Sequence, residues 1–585
     1  MKNPSSRWLN FVREVTETLL AIPSVSPDVE AENRCAEKIA ELLEADRVSL
    51  QPVFWSTGDG RKNIACLLES RHSQNRGKTV ILMSHFDTVG VEDFVHLGDA
   101  KIAFQPHELA AAMKSMLEKK RQVGELDSSE ESAFQALRSN EWIFGRGSLD
   151  MKSGVAVNIA VMREFARPRE NGQRLIDVLG GNLLFLSCPD EETESAGVLS
   201  AVPELLKLRE KESLTYLGVI NTDYTAPRDT NENARFIHSG TIGKLLPSFY
   251  IIGVRTHVGE IFRGVDASHI AAELVSHINL NPEWADAWQG SLGGEAISEV
   301  APPPVALHMR DLKSSYNVET AGEAFVYVNW LTLTMTPEQA MQKMKDAASA
   351  VLNAVFVRID SAFAEFASRG GKAQPPPERT SHVLNYDLLL REAKNCWDEV
   401  NKNMSFSDWL KSKTEEFSVS VKDSRDLSRM IVAELVKIAR INGPAIIVFF
   451  SPPCYPSALP KENILTKAVK SVLEKFEEPI QLRGFYPYIS DLSYVGLDGS
   501  VEIDSLKKNM PLFDTRDSKN NMLYLLHSRK LMEIRSLNCP AVNIGPFGSD
   551  AHGLYERVYM PYSFEVVPEL IYQTIINCFK IAHDS

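Results

Sequence analysis

Hydrophobic positions along the chain fall into two regimes, separated near Gly240. Up to that point, short continuous apolar runs alternate with helical spacing. Trp8, Phe11, Val12, Val15 and Leu19 predict an amphipathic helix, Ile22 to Pro27 breaks it, and Ala31 to Leu43 resumes helical spacing. Asn63 to Leu68, Thr79 to Val89, Leu183 to Ser187 and Leu217 to Asn221 predict strands, and Val155 to Phe165 predicts a helix. Runs such as Thr79 to Met83, apolar on consecutive residues, fit a mostly parallel sheet covered on both faces. Between residues 91 and 140 lies a long polar excursion, helical around His107 to Arg121, which is expected on the surface or at the rim of a site.

Past Gly240 the order becomes strand (Lys244 to Val254), helix (Ala267 to Ile278), strands (Val305 to Met309, Ala324 to Leu333) and helix (Thr336 to Val355). That order predicts a separate antiparallel sheet faced by two helices. A Gly- and Pro-containing loop, Ser368 to Ser381, leads to helices ending near Ile441 and a strand at Ala445 to Phe450. Helix and strand alternate again from Lys461, so the first domain is expected to resume there. The expected division is 1–239 and 458–585 for one domain, with 240–457 inserted.

Chemistry concentrates where the predicted strands end. His85 and Asp87 close one strand and, two apart, can face the same site. Asp150 sits in Gly147 to Gly154 just before a helix; Glu191 and Glu192 follow Leu183 to Ser187, and Asp223 follows Leu217 to Asn221. Near the C-terminus, Gly548 to Glu556 carries His552. Strand ends are where an α/β sheet presents its ligands. Two histidines with several carboxylates and no cysteine suit zinc, with cobalt or manganese as alternatives. A bridging carboxylate plus one spare acid is the inventory of a two-metal hydrolase.

Composition narrows the partners. The chain has 585 residues, too many for one core, with a net charge of -14 that argues against nucleic acid, whose affinity comes from Lys and Arg. Seven scattered cysteines without a C-x-x-C pair read as reduced thiols, and the strongly apolar runs are short for a membrane span, so a cytoplasmic location with no membrane partner is expected.

These residues in this order resemble the co-catalytic metallopeptidase and amidohydrolase family of clan MH, which includes peptidase T, succinyl-diaminopimelate desuccinylase, acetylornithine deacetylase and aminoacylase. Ile22 to Ser26, Ser84 to Thr88, Gly147 to Gly154, Asp190 to Glu192 and His552 with Glu556 carry the likeness. Within the family, the length, the long lid and the Phe547 to His552 setting most resemble RocB-type arginine-utilisation proteins. The resemblance implies an α/β, zinc-peptidase-like catalytic domain, with a mostly parallel central sheet and helices on both faces, plus an inserted α+β lid domain. It implies two Zn2+ ions (Co2+ or Mn2+ as alternatives): Asp150 bridging, His85 and Asp223 on one ion, Glu192 and His552 on the other. Asp87 would orient His85, and Glu191 would be the general base. A cis peptide would join Asp150 to Met151.

In the lid, His257 of Thr256 to Gly259 would stabilise a tetrahedral intermediate, and Asn317 matches the family's lid asparagine. Leu331 stands where many members carry a carboxylate-binding arginine. The implied substrate is a small peptide or an N-acyl amino acid, in arginine or amino-acid catabolism, with both a homodimer through the lid and a monomer left open. Two other readings are a catalytically silent relative serving binding or assembly, and a cysteine hydrolase using Cys188 or Cys454. The ligand inventory argues against the first, and the lack of a histidine partner against the second. Asp491 reads as structural.

Overall fold

A computed structural model describes residues 7–45, 50–72, 77–227, 234–292, 294–400, 403–476, 478–497, 502–516 and 522–584. An eight-stranded sheet forms one half, in the order Val53–Ser56, Lys62–Leu68, Asn182–Cys188, Lys78–His85, Thr215–Asn221, Ala541–Asn543, Arg235–Thr241 and Ile480–Tyr486. Its centre is parallel: Lys78–His85 runs alongside both Asn182–Cys188 and Thr215–Asn221 in that sense. Both faces are covered, which explains the unbroken apolar runs. Val80 and Leu82 enter the core shared with helices Leu9–Leu20, Val29–Glu44, Lys152–Ala166 and Val567–Asp584. Ile81 and Met83 enter the opposite core, beside helix Ala196–Lys211. Because the central strands are parallel, His85, Cys188 and Asn221 end at one edge of the sheet, and the loops after them converge.

A second, six-stranded sheet draws on Gly243–Leu245, Pro247–Ile252, Val305–Asp311, Glu323–Thr332, His382–Asn385 and Ala445–Phe450. The expected strand Lys244 to Val254 is split at Leu246, so that its first piece pairs with Trp330–Thr332 and its second with the body of the sheet. Ala445–Phe450 lies antiparallel to Pro247–Ile252 and parallel to His382–Asn385. Helices Ala267–Ile278 and Pro337–Ser368 pack on this sheet. The second helix runs past its expected end at Val355, to Ser368. By length and composition it could cross a bilayer, yet Ala340, Met344, Ala348, Val351 and Leu352 are buried in the core of this sheet.

The polar excursion forms helices Pro106–Gln122 and Ser128–Ser139 around a small core of its own, built on Phe94, Leu109, Met113, Leu117 and Phe134. A hairpin of Ala287–Leu292 with Glu295–Val300 was not legible as strands in the sequence. All seven cysteines are free thiols, and Cys396 alone of them is not buried.

A candidate two-metal centre

Six of the sequence-selected residues meet at the carboxyl edge of the large sheet. His85 Nε2 lies 3.0 Å from Asp150 Oδ1, and His552 Nε2 lies 3.1 Å from Asp150 Oδ2, so one carboxylate faces a histidine with each oxygen. Glu192 Oε1 is 3.1 Å from the same His552 nitrogen, and Glu191 Oε2 is 4.0 Å from His85 Nε2. Two sets of donors result, His85 with Asp150 and Asp223, and Asp150 with Glu192 and His552; within each, the donor atoms lie within 4.8 Å of one another. The peptide Asp150–Met151 is cis, as the resemblance implied.

Asp87 sits behind these donors, fully buried. Its Oδ1 is 3.4 Å from His85 Nδ1 and accepts the Glu191 amide at 3.1 Å, while Oδ2 accepts the Glu192 amide at 3.1 Å. One carboxylate therefore holds the turn carrying both glutamates and lies against the imidazole. Asp190 is left-handed (φ 67°), and its Oδ2 caps the Ala196 amide at 2.9 Å, with Arg61 paired to its other oxygen.

His257 is placed differently. It is exposed at the start of the turn Val258–Arg263, where its Nδ1 accepts the Gly259 amide at 3.1 Å. Its described contacts are local to the second sheet, with Val258, Ile261 and Val318 exposed around it. Asn317 is likewise exposed and bonded to Glu319.

The electrostatics suit added positive charge. Burial, then the charge of Asp150, pushes Glu192 up to about 7 and Asp223 up to about 6. Glu191 is raised well above the usual carboxylate range, chiefly by burial. Burial, the largest single effect, lowers His552 and His85, but hydrogen bonds to Asp150, with Glu192 beside His552 and Asp87 beside His85, together outweigh it and raise both, His552 to about 11. Asp150, correspondingly, is lowered by the two histidines against its own burial. Four carboxylates and two imidazoles converging without another cation would be costly to keep ionised. Divalent ions would offset that cost, and an oxygen and nitrogen donor set without sulfur fits zinc, cobalt or manganese.

The sequence pattern of the Peptidase family M20/M25/M40 matches residues 121–503. The chain belongs to this family.

Among its relatives, the uncharacterised protein YqjN of Bacillus subtilis strain 168 is 32% identical, over 92% of this chain and 89% of that one. Protein RocB of the same organism is 31% identical, over 99% of this chain and 96% of that one. Among solved structures, aminopeptidase PepT of Bacillus cereus ATCC 10987 aligns with 98% of this chain and 100% of its own, at 12% identity and a TM-score of 0.48.

In this M20 chain several buried groups around the centre were given no part in it by the sequence reading. Glu556 Oε1 accepts the amides of Gly147 at 2.8 Å, Leu149 at 3.2 Å and Asp150 at 3.3 Å, and its Oε2 pairs with Arg146 at 2.6 Å. Arg146 in turn donates to the carbonyls of His552 and Gly90, each at 3.0 Å. The loops bearing Asp150 and His552 are thus tied together through a buried ion pair, while His552 itself stays exposed. Ser26 Oγ lies 3.1 Å from both Asp87 Oδ2 and Glu32 Oε1, and burial, then the charge of Asp87, raises Glu32 to about 8. A protonated Glu32 can donate to Ser26 while Ser26 donates to Asp87. Asp491 is also buried beside this turn, and burial pushes it to about 7. Position in a motif was the available signal for Ser26 and Glu556; Glu32, Arg61 and Arg146 carried none that distinguished them from surface charges.

Proposed function

We propose that this chain is a dinuclear metal-dependent hydrolase that cleaves the amide bond of a small peptide or an N-acyl amino acid. The observation that carries this reading is Asp150 shared between two three-donor sets, His85 and Asp223 on one side, Glu192 and His552 on the other. Zinc is the ion proposed, with cobalt or manganese as substitutes. When bound, two such ions supply Lewis acidity to a scissile carbonyl and bring the pKa of water toward neutrality. The protein's own part is positioning and proton transfer. Glu191, next to Glu192 yet outside both donor sets, is assigned as the general base that takes the proton of the attacking water and returns it to the leaving nitrogen. Asp87 holds His85 and the two glutamate amides in register.

Residues 240–457 are assigned as an inserted lid. His257 is assigned to the oxyanion of the tetrahedral intermediate, a role its exposed position allows only after lid closure or from the lid of a second copy. An edge strand with exposed Val305, Leu307 and Met309 supports a homodimer through the lid. The proposed setting, arginine or amino-acid catabolism, rests on the nearly full-length likeness to RocB. The test is turnover of a panel of dipeptides and N-acyl amino acids by zinc-loaded protein. Hydrolysis that a chelator abolishes and zinc restores is expected; hydrolysis indifferent to chelator would overturn the proposal.

A further inference from the structure

The segment Ile22 to Ser26 runs beside the strand end that carries His85 and Asp87. Ser26 donates its amide to the Thr88 carbonyl at 3.0 Å, and Thr88 donates its own to the Ser24 carbonyl at 2.9 Å. The Ser24 hydroxyl donates to the Phe86 carbonyl at 2.6 Å. These bonds set Ser26 Oγ between two carboxyl groups, 3.1 Å from Asp87 Oδ2 and 3.1 Å from Glu32 Oε1. Glu32 reaches this point from the first turn of helix Val29–Glu44, where Asp28 caps the Ala31 amide at 3.0 Å.

A serine hydroxyl has one proton to donate, so two such contacts with carboxyl oxygens need a second proton. One of the two side chains is therefore a carboxylic acid. Asp87 accepts the Glu191 and Glu192 amides and lies against His85, partners that favour its ionised form. Glu32 is the opposite case. It is fully buried, and among the described residues its Oε2 has no hydrogen-bond partner. Arg61, the cation beside it, stands 3.5 Å from Oε1 and is bonded instead to Asp59 and Asp190. Among the described residues, Asp87, Asp190 and the thiol of Cys35 also face Glu32, and none of these supplies positive charge. An ionised Glu32 would be a buried carboxylate without a counterion of its own, which is costly. Burial, then the charge of Asp87, raises Glu32 to about 8, in the same direction.

We propose that Ser26 and Glu32 are positioning residues of the two-metal centre: neutral Glu32 donates its proton to Ser26 Oγ, which commits the serine's own proton to Asp87. Held by Ser26 on one side and by two amides on the other, Asp87 stays ionised and stays against His85 Nδ1, so that Nε2 is kept facing Asp150. Arg61, bonded to Asp190 at the head of the glutamate turn, closes the network from behind. This rests on the hydrolase reading, because it presumes a metal centre to be positioned.

The test uses the full chain, with infrared spectra at neutral pH and with zinc as the probe, its affinity measured by competition against a chelating dye. The parent is expected to show the C=O stretch of a protonated carboxyl group, and Glu32→Gln is expected to remove it. Glu32→Gln should also keep the parent's zinc affinity and urea midpoint, because an amide N–H can donate to Ser26 in place of the acid. Ser26→Ala takes a donor from Asp87 and is expected to weaken zinc about tenfold, as loss of a partner behind a ligand does. A carboxyl band unchanged by Glu32→Gln, zinc weakened as much by Glu32→Gln as by Ser26→Ala, or parent affinity in Ser26→Ala would overturn the proposal. The infrared arm needs neither turnover nor the Ser26 variant. Zinc affinity dependent on Ser26 in a chain that hydrolyses nothing would sink only the catalytic reading, whereas chelator-sensitive hydrolysis with zinc affinity indifferent to Ser26 would sink only the positioning role.

Discussion

Asp87 shows how a residue away from the reacting atoms can decide the geometry of a centre. Its two oxygens meet one imidazole and two backbone amides, so rotating it would move His85, Glu191 and Glu192 together. Glu191 differs from its neighbours in lying outside both donor sets. Glu191→Gln is accordingly expected to abolish turnover while metal content stays at the parent value; retained turnover would remove Glu191 as the base. The same residues set a pH dependence in chelated protein. Glu192 and Asp223 hold their protons to about 7 and about 6 when folded, but release them near 4 when unfolded. The folded state thus binds more protons in that interval, and stability present at acid pH is lost as pH rises through it. His552, raised to about 11, acts with the same sign above its unfolded value near 6.5. The urea midpoint of chelated protein is expected to be lower at about pH 7.5 than at about pH 5.5, with zinc restoring more at the higher pH, because ligands bind deprotonated. A midpoint that rises with pH in the chelated protein would contradict this.

At the scale of elements, the centre depends on loops locked to one another across the sequence. Glu556 caps three amides of the Asp150 loop and neutralises Arg146, which holds the His552 carbonyl. Glu556→Ala should leave Arg146 buried without a counterion and cost about 3–5 kcal/mol, read from urea denaturation. A loss under about 1 kcal/mol, the worth of an exposed pair, would show that the pair is not structural. The excursion takes part as well, since Tyr555 donates to Glu130 at 3.1 Å and Arg557 to Ser132 at 3.0 Å. Such pairings explain what the sequence could and could not reveal. His85, Glu192 and Asp223 were legible because strand ends in a parallel sheet converge by topology, whereas Asp150 and His552, beside a separate antiparallel sheet of Trp142–Phe144, Gly548–Ser549 and Arg557–Tyr559, were legible only through their motifs. Arg146 with Glu556 was not, because the two are 410 residues apart and nothing local marks either as buried. Pro337–Ser368 outran its expected end because Phe356, Ile359, Phe363 and Phe366 continue the helical spacing, the last two against Phe262, beyond the point where the reading stopped, and the hairpin Ala287–Val300 escaped because its exposed residues follow no strong alternation.

For the whole molecule, the sequence conveyed a second sheet and Ala445–Phe450 as a strand within residues 240–457, but not that His382–Asn385 is a strand, nor that it forms the edge of this sheet parallel to Ala445–Phe450. Register between distant strands has no local signal in such short apolar runs. The exposed edge with Val305, Leu307 and Met309, and the exposed His257, lead to an expectation about assembly. Sedimentation should show a dimer, and Leu307→Lys should dissociate it; a chain monomeric at every concentration would require His257 to act by lid closure within its own chain. The central claim is the paired metal centre. It is tested most directly by elemental analysis of protein purified without chelator, beside an Asp150→Ala variant. About two zinc-like ions per chain, largely lost from the variant, are expected of a carboxylate that bridges two metals. A parent chain that holds no metal even after reconstitution would contradict the account.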